Sequence, residues 1–145
     1  MGRDRSQAIV VRGDRVLMVK HRMDGREFYC LPGGGVDEGE TPEKAALREL
    51  KEEACVEGTI VQPINERLKP DKESRVFSFW IEVPETAGVA PGTDPELPAD
   101  EQTIIGAEWM KLSEMSQLDQ IYLWCSGLKS IPVFYEMLKE WRACP

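Results

Sequence analysis

The chain has 145 residues, enough for one domain with a real core and short for two. Apolar residues make up 41% and charged residues 30%, a globular balance that excludes wholesale disorder. A formal net charge of -8 excludes nonspecific attraction to nucleic acid polymer or an anionic membrane, and it repels phosphate-bearing small molecules unless a cation intervenes.

In chain order, "QAIVVRGDRVLMVK" predicts two strands joined at Gly13-Asp14, with apolar runs on both sides of a turn signal. "HRMDGREF" reads as a polar loop, and Phe28 to Leu31 as a short strand that stops at Pro32. A helix follows, with Thr41 as its N-cap and Pro42 at the first helical position, where a missing N–H costs nothing. Gly58 to Ile64 and Arg75 to Val83 read as strands, the second alternating Phe77, Phe79, Ile81 and Val83 with Ser78, Trp80 and Glu82. The Pro-, Gly- and Asp-rich stretch from Pro84 to Glu101 predicts a long loop of the kind that carries function. Ile104 to Met110 predicts another strand, and Ile131, Phe134, Leu138 and Trp141 share one face of a closing amphipathic helix. Without a repeated strand–helix–strand rhythm, the class is α/β or α+β with a mixed sheet, in a single domain spanning residues 1–145.

The predicted helix after Thr41 carries the chemistry. Glu49, Glu52 and Glu53 stand at i, i+3 and i+4, so their carboxylates converge on one face, while Ala46, Leu47, Leu50 and Ala54 form an apolar stripe opposite. Like charges at that spacing cost roughly 0.2–0.5 kcal/mol per pair, a penalty that a hard divalent cation would reverse. The preceding "LPGGG" is a turn through which backbone can approach a ligand closely. His21 is the one histidine, and Cys30, Cys55, Cys125 and Cys144 have no paired spacing, so neither an imidazole-rich zinc site nor a zinc cage is offered. With no signal peptide visible, those cysteines read as reduced thiols in a cytoplasmic protein.

From Gly34 the spacing runs five residues to Glu40, seven to Arg48-Glu49-Leu50, one to Glu52-Glu53, and one to Cys55-Val56. It resembles the Nudix box of the Nudix hydrolases, G-x5-E-x7-R-E-U-x-E-E-x-G-U with U aliphatic, and departs from it only where Cys55 replaces a glycine. The resemblance implies an α/β/α sandwich and metal-dependent hydrolysis of a phosphoanhydride in a nucleoside diphosphate linked to another group. It implies Mg²⁺ or Mn²⁺ with Glu52 and Glu53 as the principal ligands, Glu49 as a further ligand or the general base, and the carbonyl of Gly33 as a candidate ligand from the loop. Arg48 and Glu40 would hold each other in a supporting role. Family members place the general base either in the box, here Glu49, or on a later loop. The loop candidates are Asp94, Glu96, Asp100 and Glu101, with Glu101 favoured because it directly precedes the Gln102–Trp109 strand.

At Cys55 the family glycine suits a left-handed helix end. The expectation here is that the helix instead runs on a residue or two toward Gly58. Arg22 and Arg26 are candidate phosphate contacts, His21 is read as an exposed loop residue, and Trp80 as a side chain able to stack on a base. The implied partner is a nucleotide-type small molecule, a nucleoside triphosphate or a nucleoside diphosphate sugar such as ADP-ribose; a homodimer is compatible with the sequence, a membrane partner is not. The rival reading is a catalytically weak or inactive Nudix-fold module that binds a nucleotide without cleaving it.

Overall fold

The apolar runs on either side of Gly13 build the centre of the protein. The computed structural model describes residues 3–132, 134 and 135. In chain order its strands are β1 (Arg5–Ile9), β2 (Val11–Arg12), β3 (Arg15–Met23), β4 (Arg26–Cys30), β5 (Gly33–Gly35), β6 (Thr59–Leu68), β7 (Arg75–Glu82) and β8 (Ile104–Lys111). The helices are α1 (Pro42–Ala54) and α2 (Gln117–Cys125). Ala8, Ile9, Val10 and the run Val16–Val19 are fully buried, and strand alternation sends them to two sides. Ile9, Val16 and Met18 join Leu31, Leu123, Leu128, Ile131 and Phe134 in one core. Ala8, Val10 and Leu17 join Ala46, Leu50, Ala54, Phe79 and Ile81 in the other. Strands therefore lie between α1 on one face and α2, with the turn that follows it, on the other, the α/β/α layering the sequence pointed to.

One sheet has the order β5-β1-β7-β6, with β1 and β7 parallel and the other pairs antiparallel. In the second, β3 is central: β2 and β4 pair along one of its edges and β8 along the other. Among the described residues, no helix is long and apolar enough to cross a membrane.

Several expectations change. "HRMDGREF" is not a loop but the tip of the β3–β4 hairpin, turning through Asp24 and Gly25 at φ 52 and 75. Two positive φ values in a two-residue Asp-Gly connection suit the right-handed twist of a hairpin. Its polar composition reflects a ribbon that is wet on one side, where Lys20 and Arg22 pair with Glu27. The strand begun near Gly58 continues to Leu68, with register shifts between Ile60 and Gln62 and between Pro63 and Asn65 that admit Pro63 on an edge strand. Residues Gln117–Cys125 form a helix, capped by the Ser116 side chain on the Asp119 N–H, that the sequence reading passed over. Of the closing helix, Ile131 and Phe134 are buried in the core, while Leu138 and Trp141 lie outside the described residues.

Helix α1 begins as read: the Thr41 side chain accepts the Lys44 N–H at 3.2 Å, and Pro42 follows. Its end corrects the expectation. The helix does not run on toward Gly58; it stops at Ala54, and Cys55 takes the left-handed conformation itself at φ 58. The reason lies in the long loop, whose Thr93, Gly92 and Ala90 N–H groups donate to the carbonyls of Glu52, Glu53 and Ala54 at 3.1, 2.9 and 3.1 Å. Those carbonyls are available to the loop only because the helix ends there. A β-carbon in the left-handed region costs about 1–2 kcal/mol, of which a glycine gives back part through its freer unfolded chain. Cys55→Gly is therefore expected to raise Tm by roughly 2–4 °C in a thermal melt; a fall would mean that Cys55 is not strained.

Candidate active site

The face of α1 beside its apolar stripe carries two carboxylates inward. Glu49 and Glu53 are buried, at 9% and 6% exposure, although both are ionisable. They can sit there because strand β5 is all glycine. Oε1 of Glu53 accepts the Gly33 N–H at 2.8 Å. A β-carbon on Gly34 would overlap the Glu49 carboxylate, 2.6 Å from its carboxyl carbon. The glycine run is thus a docking face for two glutamates, and any side chain at Gly34 would push Glu49 away.

Glu49, Glu52 and Glu40 share one cation. Arg48 donates through Nε to Glu40 Oε2 at 2.9 Å, through Nη1 to Glu49 Oε1 at 2.9 Å and Glu52 Oε2 at 3.2 Å, and through Nη2 to the Gly35 carbonyl at 2.9 Å. Glu40 in turn accepts the Asp37 N–H at 3.0 Å. The guanidinium holds Glu40 below the usual carboxylate range and its own proton more firmly than usual. Loop and helix are pinned by this hub.

The buried pair behaves differently. Burial pushes Glu49 upward against the opposing Arg48 charge, with Glu52 and Asp94 adding to the rise. Burial pushes Glu53 up to about 7, against the Gly33 N–H, with Glu49 and Asp94 again adding to it. Glu49 shares the one Arg48 guanidinium with Glu40 and Glu52, and the described hydrogen bond to Glu53 comes from a backbone N–H rather than a cation.

They open onto a cleft of about 310 Å³ whose walls include Arg5, His21, Phe28, Gly33, Asp94 and Thr103. Gly33, Glu49 and Glu53 line it together, whereas the Glu52 side chain is drawn to Arg48 and is not part of its wall. From the long loop, Asp94 and Glu96 reach the cleft; Glu101 and Asp100 are exposed in the turn Ala99–Glu101 and do not. Asp94 is fixed by its backbone, its N–H donating to Gln102 Oε1 at 2.6 Å and its carbonyl accepting from Gln102 Nε2 at 2.7 Å. Arg22 pairs with Glu27 at 2.6 Å on the hairpin face away from the cleft. Arg26 shares the strand face of Phe28 but is exposed at the hairpin tip, outside the lining. Trp80 packs against the core, its indole nitrogen buried.

Two lining residues were missed or misjudged. Arg5 is the one arginine or lysine in the lining among the described residues. His21 is half-buried rather than exposed, with Nδ1 2.9 Å from Thr103 Oγ1 and its ring stacked on Phe28. Burial and the Arg5 charge lower its proton affinity. The signal was present in Asp24-Gly25: read as a hairpin turn, it places His21 directly across from Phe28.

Among the described residues, no three histidine, cysteine, aspartate or glutamate side chains already stand as a metal cage. The donor chemistry nonetheless fits a hard divalent cation. The described hydrogen bonds engage Glu49 Oε1, Glu52 Oε2 and Glu53 Oε1, leaving the second oxygen of each. Two of those carboxylates are desolvated beside a single lining arginine.

The family model of the NUDIX domain matches residues 2–125. Over 52 residues the chain is 46% identical to an RNA pyrophosphohydrolase of Sphingopyxis alaskensis, covering 35% of this chain and 33% of that protein. Over 68 residues it is 34% identical to an 8-oxo-dGTP diphosphatase of Haemophilus influenzae, covering 45% of this chain and 49% of that one. The chain thus spans between a third and a half of these curated relatives. An Ap4A hydrolase from C. elegans shares the fold at a TM-score of 0.65 and 18% identity, over 95% of this chain and all of its own.

Proposed function

The chain belongs to the Nudix family, and from that premise we propose that it hydrolyses a phosphoanhydride bond in a nucleoside diphosphate linked to another group, with Mg²⁺ or Mn²⁺. The observation that carries this reading is the pair of buried carboxylates, Glu49 and Glu53, against an all-glycine strand at the floor of an open cleft. In a chain of net charge -8, desolvating two acids side by side is costly, and a bound cation would offset that cost.

Glu49 and Glu53 would hold the cation, with Glu52 turning from Arg48 to join them and the Gly33 carbonyl as a further ligand. When bound, the cation supplies the charge that offsets the substrate phosphates and lowers the pKa of water. The remaining roles belong to the chain. Arg5, on the cleft wall, orients a phosphate oxygen. Asp94, braced by Gln102 and reaching the cleft, takes the proton of the attacking water, in place of the more distant Glu101. Arg48 and Glu40 fix the glycine strand against α1, so that the floor does not move as charge shifts above it. The same reading has the chain acting as one Nudix domain over residues 1–145, in the cytoplasm, alone or as a homodimer, on a small nucleotide-type substrate.

The test is hydrolysis with Mg²⁺ and with Mn²⁺ across nucleoside triphosphates, ADP-ribose and other nucleotide sugars, with products resolved to show which bond broke. Turnover of one class, abolished by chelator, is the expected outcome. No turnover in protein whose Tm still rises with metal and nucleotide would replace the hydrolase with the binding module.

A further inference from the structure

The cleft has two chemically unlike ends. Around Glu49 and Glu53 its walls are charged, with Arg5 and Asp94 facing the carboxylates. At the hairpin end they are flat and apolar. His21 and Phe28 are cross-strand partners of β3 and β4, stacked with ring centroids 5.3 Å apart and 9° between planes. Thr103 holds the His21 ring by a 2.9 Å contact at Nδ1, so that ring cannot swing away. Phe28 nevertheless remains 39% exposed and Met23, on the same strand face, 50% exposed, both lining the cleft.

We propose that the His21–Phe28 stack is the shelf that receives the nucleobase of the substrate, and that Phe28 is the residue restricting the cleft to nucleoside-bearing phosphates. The proposal rests on the hydrolase reading above and names the part of the substrate which that reading leaves open. The chemistry of the end selects the ligand. Among the described residues Arg5 is the one arginine or lysine in the lining and it serves the charged end, so no second cation is left for a further phosphate, and the Thr103 hydroxyl that a sugar would seek is already in contact with His21. A planar π system needs neither, and aromatic rings take any base face-on. At neutral pH His21 presents a ring rather than a charge, because burial and Arg5 disfavour its protonated form. A cleft of about 310 Å³ is the size of a small-molecule site. Both ends are continuous, so phosphates over the glutamates and a base on the shelf occupy one cavity.

Exposed cross-strand aromatics also stabilise hairpins, so the test must separate binding from folding. The measurement is calorimetric titration, with Mg²⁺, of two non-hydrolysable probes: α,β-methylene ADP and methylenediphosphonate, which has the phosphates' chemistry but no base. Wild type should bind the nucleotide at least tenfold more tightly than the base-free probe. Phe28→Ala should lose about tenfold on the nucleotide, or 1.4 kcal/mol, and nothing on methylenediphosphonate. Phe28→Trp should regain it, and Phe28→Leu, which keeps the apolar surface, should not. In steady-state hydrolysis the same loss should fall on KM more than on kcat. Equal weakening of both probes, of neither, or no nucleotide binding in wild type overturns the shelf. Turnover with a KM indifferent to Phe28 sinks the shelf and leaves the hydrolase standing; Phe28-dependent binding without turnover does the reverse.

Discussion

Glu53→Gln is expected to lower kcat by about 10²–10³-fold while leaving the protein folded, and to change how metal-free stability depends on pH. The fold survives because the glutamine carbonyl oxygen can still accept the Gly33 N–H that Glu53 Oε1 accepts at 2.8 Å. The rate does not, because the side chain loses the charge that a divalent cation would require. The pH effect follows from burial. The Glu53 carboxyl has its folded pKa raised from 4.5 to about 7, so the folded state holds that proton more tightly than the unfolded chain does. This contribution is fully present below pH 4.5, is lost as pH rises through about 7, and is constant above it. The loss amounts to about 3 kcal/mol in chelator. Glu49, also raised, acts with the same sign. Tm measured from pH 4.5 to 8 with EDTA should therefore fall more steeply in wild type than in Glu53→Gln, and Mg²⁺ should restore most of the difference at the alkaline end. Parallel curves with unaltered kcat would remove Glu53 from the site.

Gly92→Ala is expected to cost about 10- to 100-fold in kcat/KM, although residue 92 bears no functional group. Its N–H donates to the Glu53 carbonyl at 2.9 Å, between the bonds from Ala90 and Thr93. A β-carbon there would overlap the backbone of Glu52, 2.8 Å from its carbonyl carbon and closer still to the oxygen. Backbone cannot swing aside as a side chain does, so the loop must lift off the end of α1 and carry Asp94, two residues on, away from the cleft. Arg12 anchors the same loop earlier, donating to the Pro84 and Ala87 carbonyls at 3.0 and 3.2 Å, so the displacement stays local. The discriminating measurement is a double-mutant cycle with Asp94→Asn. If Gly92 acts by placing Asp94, the glycine substitution costs little once Asp94 is gone. Additive losses would mean that the loop matters for some other reason.

Much of the site was readable without coordinates because its signals are local. Glu49, Glu52 and Glu53 share a helix face by the helical period, Thr41-Pro42 marks where that helix starts, and the glycines announce a close approach. The period could not say that Glu49 and Glu53 are buried while Glu52 turns to Arg48. That depends on which neighbour covers the helix, and the neighbour is a strand twenty residues away in sequence, at Gly33. The polar composition of "HRMDGREF" misled in the same way, because a ribbon wet on one face has the composition of a loop.

The chain by itself determined the family, the acidic helix and the two central strands, since each follows from residue types at short, fixed spacings. Tertiary structure alone decided which loop acids face the cleft, that Cys55 rather than Gly58 ends the helix, and that His21 lies on Phe28. Asp94 lines the cleft with the glutamates, and Glu101 does not, because three loop N–H groups find their acceptors on the last carbonyls of α1. Those hydrogen bonds join residues some forty apart, and backbone groups identical at every position leave no trace in the sequence of which partner they will find.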